Sequence, residues 1–269
     1  MKAGHLFNRF KRIATGCIQI LQNLVKRWLK RKMDLGDLFY GQGLPGVDVT
    51  NLTGKLIVIE GTDGVGRSTQ IERLTEWLKV EKYGVISTGW TRSALVGKAI
   101  DRAKSGNTLN PLTLSLLYAS DFADRLEKQI IPALNSGFIV LADRYMYTAF
   151  SRNVVRGVAP HWIRQVFGFA LQPDLILYLD IDVLTLVPRV MRSRKGLNYW
   201  TAGMDFYFSQ NLYESFVEYQ TRLLAEFNKM KEEFGFIRID ASRGVNEVYG
   251  DLQAEIRKFL MSREDLEAR

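Results

Sequence analysis

Ile59-Glu60-Gly61-Thr62-Asp63-Gly64-Val65-Gly66-Arg67-Ser68-Thr69-Gln70 joins a short apolar run, Lys55–Glu60, to a stretch with helical periodicity, 70–82. From Gly61 to Ser68 it reads G-x-x-x-x-G-K-S with arginine in the lysine position. Such a pattern is a phosphate-binding loop when it leaves a strand and opens a helix, which is the context here. Gly61, Gly64 and Gly66 let backbone N–H groups turn inward around phosphate oxygens, and the helix N-terminus adds favourable partial charge. Thr62, Arg67 and Thr69 complete the expected nucleotide-binding set, and Ser68 offers a hydroxyl to Mg²⁺. Arg67 keeps the charge of lysine but is larger and forked, so the exchange is not conservative. Two other readings stand beside this one: a glycine-rich turn without a ligand, and a nucleotide binder with impaired chemistry.

Outward from the loop, apolar runs alternate with helical stretches. Lys55–Glu60, Gly84–Thr88, Phe138–Ala142, Asp174–Asp180 and Phe236–Asp240 are the strand candidates. Helical pattern fills 95–135, broken near 106–111, and then 209–233 and 245–261. Continuous apolar strands between helices predict a parallel sheet covered on both faces: a three-layer α/β/α fold with five parallel strands. Ligands of such sheets bind beyond the carboxyl ends of the strands, which directs attention to 60–69, 88–92, 143–145 and 180 onward.

The chain has 269 residues and a net charge of +8, but the charge is uneven. Residues 1–33 carry nine Lys and Arg and no acid, which leaves about −1 for residues 34–269. Basic whole-chain character is therefore no argument for a nucleic-acid-binding body. Leu6, Phe10, Ile13, Cys17, Leu24 and Trp28 recur at helical spacing, so 5–32 reads as a basic amphipathic helix. Its longest uncharged stretch, Ile13–Val25, is too short to span a bilayer. It fits an anionic membrane surface, a dock on protein, or a targeting peptide. Residues 1–40 are thus expected to be an extension, 41–54, with four glycines and a proline, a linker, 55–262 the domain and 263–269 a tail. A single cysteine, Cys17, excludes an internal disulfide, and two histidines, His5 and His161, leave little room for histidine metal clusters. A reducing, cytoplasmic location is expected, with membrane association as one reading of the extension.

Further motifs in order give the chain a family likeness. The loop is similar to E-G-x-D-G-x-G-K-S-T-Q. Thr91-Arg92-Ser93, Leu116-Leu117-Tyr118-Ala119-Ser120-Asp121, Asp143-Arg144-Tyr145, and Pro173-Asp174-Leu175 with Leu179-Asp180 follow. Together they resemble the thymidylate kinase branch of the P-loop nucleoside monophosphate kinases, over about 54–262. The resemblance implies a P-loop NTPase fold, ATP as donor, Mg²⁺, transfer of a phosphoryl group to dTMP, and a homodimer. It implies that Asp63, Arg92 and Arg144 hold the acceptor, that Tyr118 stacks on its base, and that Asp143 with Ser68 serves the metal. Arg189–Gly196 is similar to the family's lid. Gly64 stands where one subgroup carries arginine, so catalytic arginines are expected from the lid, at Arg192 or Arg194.

Two departures bear on the substrate. Phe122 stands where the family's base-reading arginine is expected and is placed with the acceptor-binding residues on that ground, and Arg125, one helical turn on, is a candidate substitute. Ser151-Arg152-Asn153 replaces the family's A-Y-Q. Another nucleoside monophosphate, a nucleotide-binding regulator without turnover, and a protein acting mainly through residues 1–33 remain alternatives. Residues 199–204 have no assignment.

Overall fold

A computed structural model of the chain describes residues 38–49, 52–106, 109–193, 196–206 and 208–267. The amphipathic helix read over 5–32 and Arg194 of the lid lie outside the described residues.

The chain runs β1 (Lys55–Gly61), α1 (Arg67–Val80), β2 (Val85–Gly89), α2 (Gly97–Ser105), α3 (Pro111–Arg125) and α4 (Ile131–Asn135). It continues through β3 (Ile139–Asp143), α5 (Met146–Val155), α6 (Pro160–Val166), β4 (Leu175–Asp180), α7 (Val183–Arg192), α8 (Leu212–Phe234), β5 (Ile237–Asp240) and α9 (Val245–Glu267). The sheet order is β2-β3-β1-β4-β5, with every pairing parallel. The expected three-layer α/β/α architecture with five parallel strands is what forms.

Side chains alternate across the pleat, which builds two cores. Leu56, Val58, Val140 and Tyr178 pack with Phe122, Phe150, Ile163 and Phe227 of α3, α5, α6 and α8. Ile57, Ile59, Leu141 and Leu177 pack with Leu74, Leu78, Leu186 and Leu252 of α1, α7 and α9. The middles of β1, β3 and β4 are continuously apolar because both faces are covered there, whereas the edge strands β2 and β5 carry polar residues.

The stretch 95–135 divides where its sequence says it should. Asn110 Oδ1 accepts from the Leu112 N–H at 2.9 Å, and Pro111 opens α3. A π-turn, Leu126–Ile130, precedes Pro132, which has no N–H to continue the α-helical ladder.

Residues 38–49 lie on the domain. Tyr40 and Gly41 N–H groups donate to the Ala170 and Gly168 carbonyls, both at 2.8 Å, and Phe39 is buried. A Cβ at Gly41 would stand 2.8 Å from Gly168 Cα, so this glycine serves a close backbone approach as well as chain flexibility.

Candidate active site

The site forms where β1 and β3 end side by side, Ile59 opposite Asp143. Gly66, at φ 104°, caps α1 in a left-handed conformation and delivers Arg67 as the first helical residue. Arg67 Nε donates to Asp143 Oδ1 at 2.8 Å, and Nη1 donates to the Gly61 carbonyl at 2.6 Å and to the Thr62 carbonyl. Ser68 Oγ donates to Asp143 Oδ2 at 3.0 Å. Asp143 thus ties Arg67 and Ser68 together. Burial pushes its carboxyl pKa up, but the charges of Arg67 and Arg144 and the hydrogen bonds from Arg67 and Ser68 outweigh that and hold it below the ordinary carboxylate range.

Asp63 is the second junction. Its carboxylate lies between Arg144 Nη2 and Arg152 Nη2, the latter at 2.5 Å. Burial again acts upward, and Arg144, Arg152, Arg67 and Lys104 pull the carboxyl far below its usual range. Arg144 sits at φ 72°, a left-handed conformation that costs a non-glycine residue about 1–3 kcal/mol. Glu60 holds it there. This buried carboxylate accepts from the Tyr145 N–H at 2.8 Å, the Thr148 N–H at 3.2 Å and Thr148 Oγ1 at 2.6 Å, fixing the turn to the strand that carries the loop. Burial, and after it the like charge of Arg67, brings the Arg144 pKa down to about 10, so it remains charged at neutral pH.

A cavity adjoins this cluster, reached through Thr148 and Arg152 of α5. Trp90, Tyr118 and Trp200 give it aromatic walls, and Arg152 and Asn153 of α5 with Ser115 of α3 give it polar groups. Tyr118 meets Trp90 edge-on at 5.3 Å. Arg152 Nε is buried without a partner among the described residues.

The structure gathers Gly61, Thr62, Asp63, Gly64, Gly66, Arg67, Ser68, Thr69, Asp143 and Arg144 around one strand edge, with Tyr118 on the adjoining cavity. Arg92 is exposed on the loop after β2, against Gly89. Asp121 sets that loop by accepting from the Thr91 N–H at 3.2 Å and the Ser93 N–H at 2.9 Å. Phe122 does not reach the cavity. It is fully buried, stacked on Trp90 and edge-on to Tyr145. Arg125 is buried as well: Nε pairs with Asp121 at 2.9 Å, Nη1 donates to Thr88 at 3.1 Å, the group lies under the Trp90 ring, and Nη2 has no hydrogen-bond partner among the described residues. Arg192 is exposed at the end of α7.

Gly64 has a packing reason for being glycine. Its φ is 83°, and a Cβ would stand 2.3 Å from Val190 Cγ2 of α7. The same contact seats α7 on the loop.

Within residues 199–204, Trp200 lines the cavity. Trp200 Nε1 donates to the Lys104 carbonyl at the end of α2, 2.9 Å away. Arg156 anchors the far end through Asp205, Nε to Oδ2 at 2.7 Å and Nη2 to Oδ1 at 3.1 Å. The cluster of two aromatics after the basic lid was the signal in the sequence, but their partners, Lys104 and Arg156, lie on other helices.

The comparisons with known proteins agree with this geometry. The family model "Thymidylate kinase" matches residues 59–252. "Probable thymidylate kinase 2" of Saccharolobus solfataricus is 37% identical over 210 residues, covering 78% of this chain and 96% of that protein. "Probable thymidylate kinase" of Thermococcus onnurineus is 31% identical, covering 77% and 99%. The protein of the same name from Pyrococcus horikoshii is 30% identical, covering 78% and 99%.

The chain belongs to the thymidylate kinase family.

As a member of that family it is a nucleoside monophosphate kinase, a phosphotransferase. Among the described residues no helix is long and apolar enough to cross a membrane, and no group of three or more His, Cys, Asp or Glu is placed to hold a metal. Ser68 Oγ and Asp143 Oδ2 are hard oxygen donors side by side, a set that fits Mg²⁺ held jointly with water and phosphate oxygens.

Proposed function

We propose that the protein transfers the terminal phosphoryl group of ATP to dTMP, giving dTDP and ADP. The observation that carries this is the continuity of the loop with the aromatic cavity, joined through Asp63 and its two arginines. Names of the relatives support dTMP as the acceptor.

Backbone N–H groups from Gly61 to Ser68 receive the donor phosphates. Arg67 is fixed by the carbonyls of its own loop through Nη1 and by Asp143 through Nε, so its remaining nitrogen, Nη2, meets phosphate as a positioned donor rather than a swinging charge. Bound Mg²⁺, held by Ser68 and Asp143, would neutralise charge on the donor phosphates. Arg144 and Arg92 grip the acceptor phosphate and Arg152 lies beside it, while Tyr118 lies against the base. An acceptor phosphate oxygen bonds to the γ-phosphorus as the bond to the bridging oxygen breaks and ADP leaves. That oxygen is already ionised at neutral pH, so no protein base is required. Arg192 and Arg194 complete the charge stabilisation when the lid closes and excludes water.

A coupled assay with ATP, Mg²⁺ and a panel of nucleoside monophosphates tests the reading. The expected result is fastest ADP release with dTMP. If ATP binds and no monophosphate accelerates ADP release, the reading fails.

The catalytic unit is proposed as 55–262, acting in the cytoplasm as a homodimer, which light scattering of the purified chain checks. Residues 1–40 are proposed as an appendage that docks on protein or on an anionic membrane surface. Pelleting with anionic liposomes, compared with a chain starting at Leu52, separates these: equal pelleting removes the membrane.

A further inference from the structure

α5 borders the cavity with one face and packs outward with the other. Thr148 and Arg152, four residues apart, bond Glu60 and Asp63 on the inner side. Tyr147 and Phe150, three residues apart, point the other way, into the aromatic core. The helix has only 10 residues, and so short a helix takes its stability from packing. What covers Tyr147 and Phe150 therefore decides how firmly Thr148 and Arg152 are held.

Part of that cover comes from residues that precede β1. The Tyr40 ring lies 5.4 Å from Phe150 and 5.8 Å from Phe234 of α8. Its hydroxyl accepts from Arg164 Nη1 of α6 at 3.3 Å, and Arg164 is paired in turn with Glu233 of α8, Nη2 to Oε2 at 2.7 Å. Tyr40 thus sits where α5, α6 and α8 meet.

Backbone pairing fixes the ring there. Phe39 and Leu171 are antiparallel partners. The Tyr40 N–H donates to the Ala170 carbonyl and the Gln172 N–H to the Leu38 carbonyl, both at 2.8 Å. Gly41 and Gly43 N–H groups both donate to the Gly168 carbonyl, at 2.8 and 3.1 Å. The segment paired in this way, 168–172, follows Phe167 directly. Phe167 is fully buried, edge-on to Phe150 at 6.2 Å and to Trp90 of the cavity wall at 5.9 Å. Two packed routes lead from residues 38–49 to the cavity, one through α5 and one through Phe167 and Trp90. The family model begins at residue 59, so residues 38–49 lie outside it.

We propose that residues 38–49 are a positioning strap for the acceptor site, with Tyr40 holding α5 through Phe150 and the Trp90 wall through Phe167. Acceptor binding in this kinase then depends on a segment outside the matched family domain, and the catalytic unit reaches back from residue 55 to residue 38. The proposal rests on the reading of the cavity as the acceptor site. Tyr40 is a positioning residue that acts through Phe150 and Phe167.

The test measures KM for acceptor and for ATP separately, with acceptor binding by calorimetry in the absence of ATP. The acceptor used is the monophosphate that the wild type turns over fastest, so the result does not depend on its being dTMP. Tyr40→Ala should raise acceptor KM and Kd at least about fivefold, the scale of one lost aromatic contact, with ATP KM within about twofold of wild type. Tyr40→Phe keeps the ring and should stay within about twofold for both substrates. A Cβ at Gly41 would stand 2.8 Å from Gly168 Cα, so Gly41→Ala lifts the strap with Tyr40 intact and should reproduce the effect of Tyr40→Ala. Leu252→Ala opens a hole in the other core and is the control: it should lower the melting temperature and leave both KM values in place. Amide hydrogen exchange gives a second readout, with residues 146–155 exchanging at least about tenfold faster in Tyr40→Ala and Gly41→Ala while α9 is little changed.

If both strap variants melt early as Leu252→Ala does, but keep wild-type acceptor KM and wild-type exchange in α5, the strap is a stabiliser only and the proposal is overturned. An equal rise in acceptor and ATP KM overturns it too. Should Tyr40→Ala fail to fold, Tyr40→Leu and Gly41→Ala decide. A wild type that binds no monophosphate refutes the cavity reading and the proposal with it, whereas variants that bind acceptor like the wild type refute the strap alone.

Discussion

Arg67→Lys is the sharpest perturbation of the loop, because it restores the usual residue of the motif at a position where the structure uses all of the arginine's geometry. The fork bonds Asp143 through Nε at 2.8 Å and the Gly61 carbonyl through Nη1 at 2.6 Å, with the Thr62 carbonyl as a further acceptor. A lysine ammonium is one point at the end of its stem and serves either the loop carbonyls or Asp143. At least one hydrogen bond to a charged group is lost, and such bonds contribute about 1.5–3 kcal/mol. Asp143 keeps the Ser68 hydroxyl and the nearby charge of Arg144, so the low end applies, about 2 kcal/mol. With a urea m-value of about 3 kcal/mol/M, the unfolding midpoint should fall by roughly 0.7 M at unchanged slope. Acid sharpens the test. Asp143 has a depressed carboxyl pKa, so its contribution is present above the unfolded value near 4 and is lost as pH falls through the folded one. The gap between wild type and variant should therefore close below about pH 4. A variant within about 0.3 kcal/mol of wild type at neutral pH, or more stable than it, would refute the claim that the fork holds the loop together.

Three further outcomes follow from the same geometry. Asp63→Asn leaves Arg144 and Arg152 without their shared carboxylate and should cost about 2–3 kcal/mol, less than a fully buried pair because Asp63 is partly exposed; denaturation with and without phosphate should show the anion recovering part of it. Gly64→Ala meets both a left-handed backbone and Val190, and should lower stability by about 1–3 kcal/mol together with kcat, read by calorimetric melting and the coupled assay. Glu60 has a carboxyl pKa raised by burial, so its contribution is full below the unfolded value and is lost as pH rises through the folded one; Glu60→Gln should gain on wild type in urea titrations as pH climbs from about 4.

The sheet was legible because its central strands are apolar through their middles, a consequence of helices on both faces, and the loop was legible because its glycines sit between strand and helix. Strand ends differed by a residue where the chain leaves the ladder, as at Gly84 and Phe138, whose neighbours Val85 and Ile139 take up the pairing. The glycine-rich loop could be read because its residues are consecutive. The pairings around it could not, because they are assembled across distance: Asp63 finds Arg152 of α5, and Trp200 finds the Lys104 carbonyl of α2. Phe122 shows the weakness of carrying a role by alignment alone. The position matches a base reader, but an aromatic side chain one turn past Tyr118 had a larger gain from packing on Trp90, Tyr145 and Phe167 than from facing a ligand. The glycines of 41–46 misled in another way, since close approach and flexibility call for the same residue.

Charge placement settles what kind of anion this body is built for. Outside the basic N-terminal segment the chain is close to neutral, yet Arg67, Arg144 and Arg152 are gathered in one cluster with Asp63 and Asp143. A surface spread of positive charge would attract polyanions and release many counterions, giving a steep loss of affinity with salt. Here the positive charge is partly buried, and its arginines are held by two carboxylates whose pKa values those same arginines depress. Interactions in such a pocket are screened much less than those on an exposed surface. Affinity for a nucleoside monophosphate should thus fall only a few-fold between 50 and 500 mM salt, on the order expected for one phosphate contact rather than many. Calorimetric titration across that range measures it, and a fall of a hundredfold or more would mean that exposed basic residues, not the placed arginines, carry the binding.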